Sequence, residues 1–200
     1  MSWFQRYRKY RQLVKEIVFT ADELEYVESV IEDISPEFAR LQKEYLEKRN
    51  IKLETQECTP SQPIAPDTAP VPRDKSRLDS KENKHFSKMY KMIAKQIHPD
   101  KLANQPRTPE VIEKEEMFKT ATTAYRANDW PKFLEVAEKL TIRPLNLCGL
   151  LEEIPKETKK LKQKQQDLKA TFGWQLYECN GDERCKEQVI AKAMKQIYNI

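Results

Sequence analysis

The chain has 200 residues, of which 38% are hydrophobic and 34% charged, and its formal net charge is +4. So low an apolar fraction disfavours one large core and favours long, polar-faced helices around small cores. The chain holds three glycines against 12 prolines, and no glycine precedes Gly149, which argues against glycine-turn β-hairpins and glycine-rich phosphate-binding loops.

The N-terminal segment, residues 1–57, is predicted to form a helical hairpin or bundle. Apolar side chains recur at helical spacing through residues 1–18, and the first fifteen residues carry bases but no acid. Thr20 has the pattern of a capping-box N-cap, and the segment 21–34 after it carries acids but no base. Ser35-Pro36 has the pattern of a third helix start. We therefore expect an antiparallel pair of complementary charge, formed by the basic first helix and the acidic second.

A proline-rich stretch over residues 58–82 separates this segment from the rest. Its prolines recur every few residues among Thr, Ser, Ala, Gln and Asp. Repeated proline is incompatible with a helix or a central strand. We interpret the stretch as a semi-extended linker.

Residues 83–141 carry the clearest pattern in the chain. A helix is predicted up to His98-Pro99, because proline disfavours helical conformation in the residue before it. A polar loop, a helix from Pro109 and a short helix over residues 130–140 follow. The expected core consists of Phe86, Tyr90, Ile93 and Ile97 on the first helix and Phe118, Ala121 and Tyr125 on the second. A separate face of the first helix carries Lys84, Lys88, Lys91 and Lys95.

These two helices, with His98-Pro99-Asp100-Lys101 after the first, resemble the J-domain of DnaJ-type co-chaperones. The family's second helix ends in a run of the kind found at Tyr90–Ile97, directly before its His-Pro-Asp signature. Its third helix carries Phe-Lys and then Ala-Tyr, which match Phe118-Lys119 and Ala124-Tyr125. The chain is similar to short members with helical extensions, such as those of bacteria and bacteriophages.

The resemblance implies a function through a partner. J-domains bind a DnaK-type heat-shock chaperone, stimulate its ATP hydrolysis and promote its closing on a client protein. The resemblance assigns the trigger to His98, Pro99 and Asp100. Docking would be supported by residues on or near the lysine face: Tyr90, Lys88, Lys91, Lys95 and Lys101. The chain itself would have no catalytic residue, no cofactor and no metal site, and its client is not identified by the sequence.

The sequence departs from the family pattern in two places. No counterpart of the family's first helix is visible before Lys84, where the proline-rich stretch lies, and the loop from Lys101 to Phe118 is long. We expect another helix to cover the exposed side of the pair. The candidates are residues 37–50, the short helix over 130–140 and the C-terminal hairpin.

The C-terminal part is predicted to be a connector, residues 142–155, and an antiparallel helical hairpin, residues 156–200. The hairpin turn is expected at residues 179–182, around Gly181. Cys179 and Cys185 lie on either side of it. Free thiols are the expected state, with a disulfide across the turn as the alternative.

Several other functions are weighed against a co-chaperone. A helical adaptor with a J-like fold would lack chaperone stimulation, and a nucleic-acid-binding protein would use the lysines of 84–101 and 156–169. The basic N-terminal helix could lie on a membrane, but its continuous apolar stripe favours packing. We expect binding to neither nucleic acid nor membrane, and a cytoplasmic location, in the host cytoplasm if the source is viral, because neither a signal-peptide pattern nor a long apolar stretch is present.

Overall fold

The structure is a computed structural model that describes residues 2–49, 84–103, 105–144 and 146–198. Within these ranges it contains helices, turns and loops but no strand, which confirms the predicted all-α class. The predicted linker, residues 58–82, lies outside the described residues. The helices are α1 (Trp3–Lys48), α2 (Lys84–Ile97), α3 (Pro99–Leu102), α4 (Pro109–Ala127), α5 (Trp130–Lys139), α6 (Leu147–Lys169), α7 (Phe172–Glu178) and α8 (Glu183–Tyr198).

Residues 2–49, the described part of the N-terminal segment, contain one helix, so the hairpin of short helices predicted there is wrong. Helix α1 runs for 46 residues and contains Pro36 in its interior. The two predicted caps donate hydrogen bonds back into the helix instead: the Thr20 hydroxyl bonds the carbonyl of Glu16 at 2.9 Å, and the Ser35 hydroxyl bonds that of Ile31 at 2.7 Å. Such bonds allow Ser and Thr to stay inside a helix.

The described chain divides into two compact units. Among the described residues, the first comprises 2–25, 84–103, 105–144 and 146–166, and the second comprises 26–49 and 167–198. The first unit is larger than the predicted module 83–141, because side chains from the start of α1 and the start of α6 enter the same core. Those added core residues are Tyr10, Val14, Ile17, Leu147, Leu150 and Ile154.

Aromatic packing organises the core of the first unit. The Phe86 ring on α2 stacks on Trp130 of α5 with centroids 3.9 Å apart, and meets Phe133 edge-on at 5.9 Å. Phe133 and Leu134 are fully buried. Of the candidates to cover the α2–α4 pair, α5 therefore takes this role. Tyr10, Val14 and Ile17 of α1 also pack in this core, but the sequence did not predict that this part of α1 would help to cover the pair.

Capping residues set the ends of α4 and α5, which lie where the sequence predicts them. Thr108 caps α4, and its hydroxyl accepts from the backbone N–H of Val111, with Pro109 in the first turn. Asn128 closes α4 in a left-handed conformation with φ of 57°, and the Asp129 side chain accepts from the N–H of Lys132 to cap α5. Asn is one of the few residues other than Gly that adopt this conformation readily. These caps set the short connection by which α5 folds back onto α4.

The second unit is built on α7 and α8. Trp174 and Leu176 of α7 and Ile190 and Met194 of α8 are buried. Lys186 of α8 forms an ion pair with Glu37 of α1 at 2.8 Å. The carboxylates of Glu37 and Glu183 raise the pKa of Lys186.

The C-terminal segment differs from the prediction in three details. Helix α6 begins at Leu147, so most of the predicted connector 142–155 is helical. The first helix of the predicted hairpin, which would run from residue 156 to the turn, is interrupted after Lys169, where Thr171 caps α7. The turn lies at residues 179–182 as predicted, but Cys179 and Cys185 form a disulfide with their Cα atoms 5.5 Å apart, so the expected free thiols are wrong.

Candidate functional site

The His98-Pro99-Asp100 segment lies at the junction of two helices in the first unit. The backbone N–H of His98 donates to the carbonyl of Ala94 at 3.0 Å, which completes the last turn of α2. His98 then adopts extended backbone angles and caps α3, with Pro99 in the first turn. Buried Leu102 anchors α3. The signature therefore sits on two short stretches of fixed backbone rather than on a free loop.

The His98 side chain is held by its neighbours. Its Nδ1 accepts a hydrogen bond from the backbone N–H of Asp100 at 3.3 Å. A nitrogen that accepts carries no proton in a neutral imidazole, so Nε2 carries it. The ring also meets the Phe118 ring of α4 nearly edge-on, with centroids 5.3 Å apart. The imidazole thus has one defined orientation and an Nε2–H donor.

The Asp100 side chain is more accessible than that of His98. Its side chain is 88% exposed, against 41% for His98. One carboxylate oxygen lies 3.4 Å from His98 Nδ1. That nitrogen accepts from the backbone N–H of Asp100, so it does not donate to the carboxylate. The carboxylate remains available to a partner's cation or N–H donor.

The lysine face of α2 leads to this segment. Lys88, Lys91 and Lys95 are exposed, and none of them forms an ion pair with another described residue. Lys101 turns back, and its ammonium group donates to the carbonyl of Lys95. The face is therefore a row of positive charge that ends beside the exposed carboxylate of Asp100. The lysines can attract an acidic surface, and the Asp100 carboxylate adds a negative charge at the end of the row.

Tyr90 was predicted both as a docking residue and as a core residue, and the structure places it against α4. Its ring stacks on Tyr125 with centroids 4.7 Å apart and lies 6.4 Å from Phe118. The Thr122 hydroxyl donates to the carbonyl of Phe118 at 2.8 Å. Tyr90 must therefore be the donor in its 3.2 Å bond with Thr122. Ring and hydroxyl both serve packing.

The other predicted core positions lie together. Phe86, Ile93, Ile97 and Ala121 are buried, and Phe118 and Tyr125 are partly buried against the same core. Sequence reasoning missed Met89 and Leu102, which are also buried. Met89 lies three residues after Phe86, a spacing that places it on the buried face. Leu102 is the one leucine among the polar residues and proline of α3, and this pattern could have predicted that it is buried.

No protein-family model matches the chain, and no curated protein or solved structure matches it either. In the described part of the chain, no three His, Cys, Asp or Glu side chains lie close enough together to hold a metal ion. No helix among the described residues combines the length and apolar character needed to cross a bilayer. The site is therefore interpreted from its own geometry.

Proposed function

We propose that the chain is a J-domain-type co-chaperone that docks on a DnaK-type heat-shock chaperone and stimulates its ATP hydrolysis. The observation that carries the proposal is the placement of His98-Pro99-Asp100. The segment is exposed, it is fixed at the end of a packed helical pair, and a row of lysines leads to it. The chain supplies docking and orientation, and the ATP chemistry belongs to the partner.

The arrangement suits a two-part encounter. The lysine face attracts an acidic surface over a distance and gives fast association that weakens as salt screens it. The His-Pro-Asp segment then makes short-range contacts with little loss of freedom, because its backbone is already ordered in α3. A donor at His98 Nε2 and an acceptor at Asp100 can both be satisfied by a polar partner.

The core beneath the site supports the same proposal. His98 contacts Phe118, which lies close to Tyr90, which stacks on Tyr125. This row of rings connects the signature to the centre of the α2–α4 pair. A rigid support of this kind keeps the signature in a docking geometry before the partner arrives.

Docking is tested by charge reversal on α2. Lys91→Glu should weaken binding to an ATP-bound DnaK-type chaperone by about tenfold at low salt, and this loss should shrink at high salt as exposed charges are screened. Lys159→Glu is the matched control, since it makes the same charge change at an exposed position of α6. Isothermal calorimetry or surface plasmon resonance measures both.

The proposal is wrong if the wild-type chain does not bind the chaperone, or if the two charge reversals weaken binding equally. Binding without stimulation of ATP hydrolysis would indicate an adaptor. Binding to DNA or RNA that falls steeply with salt would indicate a nucleic-acid-binding protein.

A further inference from the structure

Phe19 is an exposed aromatic side chain on α1 that the proposed function does not use. It is 63% exposed. Ile17 on the same helix is fully buried in the core of the first unit. At 100° per residue, Phe19 projects about 160° around the helix from Ile17, and thus away from its own core. Nothing in the first unit's packing explains a phenylalanine there.

An apolar cleft adjoins Phe19 within the first unit. It has a volume of about 360 Å³ and lies between α1 and α5, with Val14, Val18 and Phe19 on the α1 side. The charged residues on its α5 side are already paired: Glu138 with Arg11 at 2.8 Å, and Glu135 with Lys139 at 2.8 Å. The cleft is therefore open to an apolar group.

Two charges lie on either side of Phe19 along the helix. Lys15 is four residues before it and Asp22 is three residues after it, both are exposed, and both lie at the rim of the cleft. Neither forms an ion pair with another described residue. Along the helix the patch therefore has a free cation, an exposed aromatic group and a free anion, in that order. When two copies of this patch lie antiparallel, each cation faces an anion and the aromatic groups lie at the centre.

We propose that this face of α1 is a homodimer interface in which two copies cross antiparallel about a two-fold axis at Phe19. Each Phe19 would lie against the apolar cleft of the other copy, and each Lys15 would face Asp22 of the other copy. A two-fold interface uses the same patch on both copies, so one self-complementary patch is sufficient.

A second copy fits this surface better than a lipid bilayer does. The charges at the cleft balance, because Glu135 and Glu138 are each paired with a cation and Lys15 is offset by Asp22, so the cleft has no net attraction to an anionic headgroup layer. Asp22 favours a partner that brings a cation beside its aromatic group, as Lys15 does. The interface does not depend on the proposed function.

Sedimentation equilibrium of the full chain tests the proposal. We expect a reversible dimer with a Kd of the order of 10 µM, the range of a small interface. Phe19→Ser should weaken dimerisation by at least about tenfold, since it removes the central apolar contact. The circular dichroism spectrum of Phe19→Ser should match that of wild type, because the exposed side chain is not needed for folding.

Charge exchange identifies the register. Lys15→Asp alone and Asp22→Lys alone should each weaken the homodimer by about tenfold, because each creates two like-charge pairs. An equimolar mixture of the two variants should dimerise like wild type, since both cross-pairs then have opposite charges. Lys9→Asp is the matched control: it makes the same charge change on α1, about 120° around the helix from Lys15, and should have no such effect.

The proposal is overturned if the wild-type chain is monomeric at about 200 µM, well above the expected Kd. It is also overturned if a dimer persists in Phe19→Ser, or if mixing the two charge variants restores nothing. Either of the last two results would place the dimer contact elsewhere on the chain.

Discussion

Tyr10 is a buried phenol in the core of the first unit, close to the carboxylate of Glu138. Burial raises the pKa of Tyr10 above its ordinary value, and the negative charge of Glu138 raises it further. Both causes disfavour the phenolate in the folded state. The free energy of unfolding should therefore depend on pH through this residue in the alkaline range.

The sign of this dependence follows from which state loses the proton first. Above its ordinary pKa of about 10, Tyr10 ionises in the unfolded chain but not in the folded one, so stability falls as pH rises. Between pH 8 and pH 11 this loss is about 1.4 kcal/mol. Tyr10→Phe should lack that part of the loss in urea titrations at the two pH values. Equal losses for wild type and variant would contradict the assignment.

Phe133 is expected to dominate the stability of the first unit. It is 0% exposed and packs against Phe86, Tyr125 and Trp130. Phe133→Ala should lower the free energy of unfolding by about 3–5 kcal/mol, through lost burial and a cavity. Phe4→Ala is the control, because Phe4 is 71% exposed, and it should change stability by less than about 0.5 kcal/mol. Chemical denaturation followed by circular dichroism measures both.

Residue spacing was a good guide where one helix packs on another. It placed Phe86, Ile93, Ile97 and Ala121 in the core, because a helix buries one face along its whole length. It did not place Tyr10 in that core. The partner of Tyr10 lies far away along the chain, and spacing within one helix carries no information about it.

At the scale of elements, α1 explains why capping signals can mislead. Thr20 and Ser35 have the chemistry of helix caps, and each is followed by acids or proline. Yet Ile17, Thr20 and Leu24 are all buried on one side of α1. A break at Thr20 would remove these neighbours from their common face, so burial favours continuity. The local cap signal is worth about 1 kcal/mol, less than the burial of two large apolar side chains.

The α7–α8 hairpin carries the disulfide that the sequence left open. A six-residue separation permits a bond but does not require one, since the Cα atoms must first come within about 7 Å of each other. The turn at residues 179–182 brings them to 5.5 Å. Whether the bond forms depends on the path of the backbone through the turn. Cysteine spacing alone does not predict that path.

Alkylation tests this disulfide directly. In the denatured, unreduced protein, iodoacetamide should label Cys148, which is a free thiol, but not Cys179 or Cys185. After reduction it should label all three, as peptide mass spectrometry shows. Reduction should also lower the stability of the hairpin by about 2 kcal/mol, the value for a short closed loop. Labelling of Cys179 and Cys185 without reduction would contradict the pairing.

At the scale of the whole molecule, composition anticipated small cores and long helices, and the chain has both. The boundary of the module predicted over residues 83–141 was not anticipated. The first unit recruits the start of α1 and the start of α6 around the α2–α4 pair and α5. His98-Pro99-Asp100 lies at the exposed end of that pair.

The central claim is that His98-Pro99-Asp100 acts on a partner's ATPase. The most direct measurement is the single-turnover rate of ATP hydrolysis by a bacterial DnaK-type chaperone, with wild type, His98→Gln or His85→Gln added. His85→Gln makes the same change at the chain's other histidine. We predict that wild type and His85→Gln accelerate hydrolysis and that His98→Gln leaves it at the basal rate. Equal acceleration by His98→Gln and wild type would contradict the claim.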